Sequence, residues 1–232
     1  MKLLICCLMA VTVISGCGAQ DTETAPAAQS QAQAPAPDEA ELTAAARNLA
    51  GQFGRDLQSA LLGALNENGP AYAMQVCQIR AGEIAAAHSA AGWSVKRVSD
   101  KWRNITGRPD SAEVAVLATF ADLKTDSEFL TRWSGPDSAR VFNYYQTIVV
   151  REMCLQCHGD LQSVDLDLWQ QVKIAYPYDK ATGYKEGDLR GMFVVSAHLP
   201  EAEKIAPKLA EGIPIGDLVA KDTTSADTTA KQ

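Results

Sequence analysis

Residues 139–159, ARVFNYYQTIVVREMCLQCHG, combine two patterns that decide how the rest of the chain is interpreted. The segment 139–150 is rich in β-branched and aromatic side chains, which favour an extended strand. Residues 153–159, MCLQCHG, then place two cysteines and a histidine at the spacing Cys-x-x-Cys-His. The stretch therefore predicts a strand that leads directly into a chemically specialised turn.

The Cys-x-x-Cys-His motif is the attachment signature of c-type haem, in which the thiols bond to the haem vinyl groups and the imidazole binds iron. A structural zinc site needs four ligands, usually from two Cys/His pairs, and the sequence has no second pair. A thioredoxin-like pair should open a helix at the start of a βαβ unit, whereas this motif lies late in the chain. We therefore predict one haem c per chain, with Cys154 and Cys157 as covalent anchors and His158 as the proximal iron ligand.

The surrounding sequence predicts an α+β fold with a small antiparallel sheet. Apolar residues at spacings of three and four indicate an amphipathic helix from Glu39 to Leu65. Residues 66–69 break this helix, and Pro70 begins a second one that runs to Gly92. Helices come first and strands mixed with helices follow, so an α+β build is favoured over an all-helical one. The other predicted elements are strands at 92–99 and 189–199, a helix at 111–125 capped by Ser111, and a helix at 166–176.

The N-terminal segment has the features of an export signal. Lys2 is followed by an apolar core at 3–13 that is too short to span a bilayer. Residues 14–17, Ile-Ser-Gly-Cys, resemble the lipobox of bacterial lipoproteins. We therefore expect the chain to be exported as a lipoprotein. The lipid on Cys17 would anchor it to a membrane, with the folded part facing the periplasm. The alternative is ordinary signal cleavage beside an incidental cysteine.

Composition divides the chain into four regions. Residues 18–40 are mostly Ala, Gln, Pro, Thr and acidic residues, which bury too little apolar surface to offset the entropy of ordering. The formal net charge of −7 argues against nucleic acid as a partner. The predicted organisation is a signal peptide at 1–16, a lipidated cysteine and disordered tether at 17–40, a haem domain at 41–200, and a C-terminal helix with a disordered tail at 201–232.

The residue that fills the sixth position of the haem iron, opposite His158, decides what the protein does. The candidates from the residues alone are Cys77, His88, His198, Met74 and Met192. Cys77 lies in the middle of the second predicted helix, where it is either a thiolate ligand or a small buried hydrophobic residue. His88 is expected to be solvated at a helix end, and His198 is expected at the surface.

Four segments carry a resemblance to a known family: residues 74–85, 92–104, 153–160 and 176–196. Over residues 41–199 the chain resembles the c-type haem family built on domain of unknown function 3365, in which the fold is PAS-like and the axial ligands are His and Cys. The resemblance implies that Cys77 is the distal iron ligand opposite His158. It also implies that Arg97 and Arg103 lie near the haem, where their guanidinium groups suit pairing with propionates. The chain departs from the family pattern at Ile105, where the family usually has proline.

These observations favour redox sensing, or sensing of a diatomic gas such as NO or CO, outside the cytoplasm. The alternative is a periplasmic electron-transfer cytochrome c. Either function requires a separate protein partner that receives the signal or the electron. No catalytic triad, metal cluster or phosphate-binding loop is visible in the sequence, so we do not expect an enzyme.

Overall fold

The structure is a computed structural model that describes residues 38–121, 128–162 and 164–226, with residues 221–226 described for the backbone alone. The predicted signal peptide, Cys17 and almost all of the predicted tether lie outside these residues. So do positions 122–125 of the predicted third helix and the last six residues of the predicted tail.

The N-terminal helical segment forms an antiparallel hairpin. Helix α1, Glu39–Ala87, is interrupted at Asn68 and Gly69, and the latter has a positive φ of 74°. His88 Nε2 lies 2.7 Å from Asp56 Oδ2, although these residues are 32 positions apart. A continuous helix would separate them by about 48 Å. The two halves, 39–67 and 70–87, therefore run in opposite directions, as the predicted break at 66–69 requires.

Two predictions about the second half of α1 are corrected. The helix ends at Ala87 rather than at Gly92, because His88 is already its C-cap and the chain turns there into the first strand. His88 is not solvated: its side chain is buried and its ring packs edge-on against Phe53 at 5.9 Å. Burial against the first half of α1 gives this histidine a structural position within the hairpin.

In the described part of the chain the strands are β1 Trp93–Val98, β2 Phe129–Ser134, β3 Val141–Val149 and β4 Leu189–His198. They form one antiparallel sheet in the order β1-β4-β3-β2. The three predicted strands are present, and of these four the sequence prediction missed β2, an edge strand whose residues are exposed or half-buried. An α+β fold with a small antiparallel sheet is therefore confirmed.

The remaining helices are short. Helix α2 is capped by Asp110 rather than by the predicted Ser111: the Asp110 carboxylate accepts from Glu113 N, and the Glu113 carboxylate accepts from Asp110 N, which is a capping box. The α-helices are α2 Ser111–Phe120, α3 Leu155–His158, α4 Leu166–Ala175, α5 Ala206–Ala210 and α6 Ile215–Ala226, and single 3₁₀ turns lie at Ile105–Gly107, Asp137–Ala139, Glu152–Cys154 and Ala202–Lys204. No helix in the described ranges is both long and apolar enough to cross a membrane.

The two faces of the sheet bury separate apolar clusters. The first half of α1 covers one face, where Leu49 and Phe53 join a cluster with Phe142 and Val195. Helix α2 covers part of the other face, with residues such as Phe120 against β4. A smaller cluster joins the second half of α1 to α4 through Met74, Val164, Leu168, Val172 and Tyr176. The second half of α1 thus extends past the sheet toward the Cys-x-x-Cys-His region.

The β3–β4 pairing contains one irregularity, which predicts a sensitive glycine. Gly191 has a φ of 151°, and a Cβ there would lie 2.3 Å from the Val98 carbonyl oxygen. We expect Gly191→Ala to lower the free energy of unfolding by about 2–4 kcal/mol, because both the backbone angle and the contact must change.

The matched control is Gly63→Ala, at an exposed position within α1 where a Cβ meets no atom within 4 Å. This variant should be about 0.5–1 kcal/mol more stable, since alanine favours helix over glycine. Urea unfolding followed by circular dichroism measures both. Equal stability of the two variants would contradict the requirement for glycine at position 191.

Candidate functional site

The Cys-x-x-Cys-His residues form a compact turn directly after β3. A 3₁₀ turn at Glu152–Cys154 continues into α3, Leu155–His158. Both motif cysteines are unpaired and half-buried. Cys154 packs against a cluster that contains Tyr184, and Cys157 packs against the cluster between the second half of α1 and α4. The two thiols therefore stand at the junction of two apolar clusters.

The loop 179–184 holds this turn from one side. Gly183 N donates to the Gly159 carbonyl at 2.8 Å, and Tyr184 N donates to the His158 carbonyl at 3.0 Å. A Cβ at residue 159 would lie 2.6 Å from the Leu155 carbonyl oxygen, so the tight turn requires glycine there. These contacts fix the position of His158 relative to the loop.

The His158 imidazole is oriented by a single backbone contact. Its Nδ1 lies 2.7 Å from the Ala181 carbonyl oxygen, which can only accept, so Nδ1 carries the proton. Burial, together with the charges of Arg190 and Arg103, holds the pKa of His158 well below its usual range. The ring is therefore neutral at pH 7 with its proton on Nδ1. Its Nε2 lone pair is the one that a metal ion would use.

Arg103 clamps the turn to the loop. Its Nη2 donates to the Cys157 carbonyl at 2.6 Å and to the Ala181 carbonyl at 3.2 Å. The same nitrogen lies 3.1 Å from Oδ2 of Asp179, and Arg103 Nε donates to this Oδ2 at 3.2 Å. The Asp179 side chain is fully buried. Much of the guanidinium is thus engaged by the protein, and its predicted contact with a propionate stays a prediction.

Arg97 carries a charge close to the motif. The residue has substantial accessible surface, and desolvation is the main reason that its pKa is lowered. The charges of Cys77, Tyr176, Arg103 and Cys154 all act on it, which places Arg97 among the site residues.

Cys77 reaches the same region from the second half of α1. Burial raises the pKa of this half-buried thiol, the charge of Arg97 opposes that rise, and Cys157 adds to it. The neighbouring Gln78 lines a cleft with Arg103 and Tyr176, and its Nε2 donates to the Ala175 carbonyl at 3.3 Å. The helical hairpin therefore brings Cys77 beside the motif from an element of its own.

The other candidates for the sixth position are placed differently. His88 is held within the hairpin by Asp56, and His198 is exposed at the end of β4. Met192 is fully buried in the cluster under α2, on the face of the sheet opposite to α1. Met74 alone of these four packs in the cluster that includes Cys157. Cys77 and Met74 are thus the candidates that the fold brings to the motif.

Residues that the sequence analysis did not assign complete the surroundings. Tyr184 lies edge-on to His158 at 6.2 Å, and Lys101 Nζ lies 4.1 Å from the centre of the Tyr184 ring. Arg190 is buried beside the same tyrosine. Tyr184 and Arg190 belong to the segment 176–196, one of the four segments that carry the family resemblance in the sequence.

The donor set fits a covalently attached haem. Two unpaired thiols, a neutral imidazole that carries its proton on Nδ1, a further thiol and several cations match the vinyl groups, the iron and the carboxylates of that cofactor. Within 38–121, 128–162 and 164–226, no three His, Cys, Asp or Glu side chains converge in the manner of a metal-ion site.

Because Arg103 holds the turn and the loop together, removing its guanidinium should strongly destabilise the folded protein. Arg103→Met would leave the buried Asp179 carboxylate unpaired, so we expect the free energy of unfolding to fall by about 3–5 kcal/mol. Arg80→Met breaks an exposed ion pair with Glu83 and should cost less than about 1 kcal/mol.

Adding Asp179→Asn to the Arg103→Met variant removes the unpaired charge and should restore part of the loss. Urea unfolding of these variants forms a double-mutant cycle. Additive effects of the Arg103 and Asp179 substitutions would contradict the clamp.

Comparison with known proteins identifies the family of this chain. No curated protein gives a significant match to the chain. The crystal structure of the cyanobacterial haem protein Tll0287 aligns with 65% of this chain and 93% of its own, at 27% sequence identity and a TM-score of 0.46. A family model described as Tll0287-like matches residues 23–197, which is most of the 232-residue chain. The chain therefore belongs to the Tll0287-like family.

Proposed function

We propose that this protein binds one covalently attached haem c. The observation that carries the proposal is the Cys-x-x-Cys-His turn, in which a neutral His158 donates a hydrogen bond from Nδ1 to the Ala181 carbonyl. This is the protonation state and the tautomer that iron ligation through Nε2 requires. The namesake of the family is a haem protein, which supports the same conclusion.

Each residue of the turn has a separate role in this proposal. The thiols of Cys154 and Cys157 form thioether bonds, and His158 supplies the proximal ligand. The bound group would supply one-electron chemistry, and a diatomic gas would bind to it only in place of the distal ligand. Arg103 and the loop 179–184 orient the imidazole, and the half-buried position of the motif limits the access of water.

Cys77 is the distal ligand in this proposal. It lies on a different element from His158, and although burial raises the pKa of its thiol, the charge of the nearby Arg97 opposes that rise. We assign Arg97 to the neutralisation of anionic groups at the site, which includes its predicted contact with a propionate. Met74 is the alternative ligand because it packs in the same region.

The physiological role in this proposal is redox sensing, or sensing of NO or CO. Its support is that the two axial ligands come from separate elements, His158 from the clamped turn and Cys77 from the helical hairpin. A small displacement of the hairpin changes the distance between the ligands while the proximal side stays in place. The fold that supports this arrangement is, in our proposal, a variant of the PAS fold.

Spectroscopy of the attached haem tests the ligand assignment. We expect the oxidised protein to give the electron paramagnetic resonance spectrum of a low-spin thiolate-ligated haem. Cys77→Ser should lose this signal because serine supplies no thiolate, whereas the control Met74→Leu should retain it. An unchanged spectrum in Cys77→Ser would exclude Cys77 as a ligand. Binding of CO or NO by the reduced protein supports sensing, and failure to bind either gas favours electron transfer.

We also propose that the protein is an exported lipoprotein held on a membrane by Cys17, with no enzymatic activity and with a separate signalling or redox partner. The support is the sequence pattern at 1–17. Cys17→Ala should move the protein from the membrane fraction to the soluble fraction of the same cells. Retention of that variant in the membrane fraction would refute the lipid anchor.

A further inference from the structure

Arg190 is a buried cation in an unusual backbone position. In the β3–β4 pairing, Ile148 lies opposite Gly191 and Val149 lies opposite Leu189, so Arg190 is the extra residue of a β-bulge. Bulges commonly redirect a side chain next to a functional site. The glycine that follows permits the bulge, because a side chain there would meet Val98. The backbone is thus built to direct Arg190 inward, where it is only 7% exposed.

The contacts of Arg190 do not neutralise its charge. Its Nη1 donates to the Lys101 carbonyl at a long 3.4 Å, and its guanidinium carbon lies 5.4 Å from the centre of the Tyr184 ring. Among the described residues no carboxylate lies within 4 Å of the group. The carboxylate that acts on it most directly is Asp179, which Arg103 already binds.

The surroundings make this arrangement unfavourable for the protein alone. Desolvation, followed by the positive charge of Arg97, lowers the pKa of Arg190 to about 10. A buried charge without a counter-ion costs several kcal/mol, so folded proteins pair such groups. An anion that enters the site would supply the missing partner, and a carboxylate matches the planar guanidinium through two parallel hydrogen bonds.

We propose that Arg190 binds a propionate carboxylate of the haem, and that Arg103 is a positioning residue for the Cys-x-x-Cys-His turn. This inference rests on the proposed covalent haem. Arg103 already donates to Asp179, Cys157 and Ala181, whereas Arg190 is buried beside Tyr184, close enough for its charge to act on His158, and forms no ion pair with a described carboxylate. Arg97 remains available for the second propionate.

Solid-state NMR of the wild-type haem protein tests the contact directly. The haem carries ¹³C at its carboxyl carbons, and the arginines carry ¹⁵N. We expect a dipolar coupling between a propionate carbon and a guanidinium nitrogen that is lost in Arg190→Lys, which keeps the charge and removes the fork. The exposed Arg108→Lys should retain the coupling. Full retention in Arg190→Lys would overturn the assignment.

A titration provides the second measurement. Infrared difference spectra of the ¹³C-labelled carboxyl groups should show the pKa of one propionate rising by at least one unit in Arg190→Met, because a desolvated carboxylate without its counter-ion favours the protonated form. The Arg108→Met control should match the wild type. An unchanged titration in a haem-loaded Arg190→Met protein would refute the proposal.

Failure of haem attachment and failure of the Arg190 contact give different results. If the wild-type protein acquires no covalent haem, the proposed function fails and this assignment fails with it. If haem is attached through Cys154 and Cys157 but the labelled carboxyl groups respond to neither Arg190 variant, only the role of Arg190 is refuted.

Discussion

His158 keeps one orientation because its Nδ1 proton is donated to the Ala181 carbonyl, 2.7 Å away. The loop that provides this carbonyl is bound to the motif by backbone hydrogen bonds and by Arg103. A buried Asp179 in turn holds Arg103. The chemistry of the imidazole therefore depends on a chain of contacts between segments far apart in sequence, each of which satisfies a buried polar group.

The opposite side of the site depends on a reversal of the chain. Asn68 and Gly69 turn a run of helical sequence back on itself, and the returning helix places Cys77 next to the motif. Without that reversal the thiol would lie on a helix pointing away from the sheet. The two sides are thus positioned by independent means: one by a dense hydrogen-bond network, the other by apolar packing between helices.

Sequence patterns predicted the features that arise from local chemistry. The helix break, the strands β1, β3 and β4 and the α4 helix each have a local signal, and each is confirmed. Strand β2 was missed because an edge strand with exposed residues has little apolar alternation. The burial of His88 and the pairing of Arg103 depend on partners 32 and 76 residues away, which no local pattern reveals. The roles of Cys77 and Arg97 at the site remain predictions, although the fold brings these residues to the motif.

The helical hairpin also divides the protein into parts of unequal stability. The first half of α1 contributes most of the buried residues of that helix and packs on the sheet, whereas the second half buries few residues, with Ile84 in the main cluster and Met74 in the small cluster with α4. Cooperative units with fewer buried contacts open at lower free energy than the global unfolding transition. The element that carries Cys77 can therefore detach as a local fluctuation while the sheet and the clamped turn remain folded.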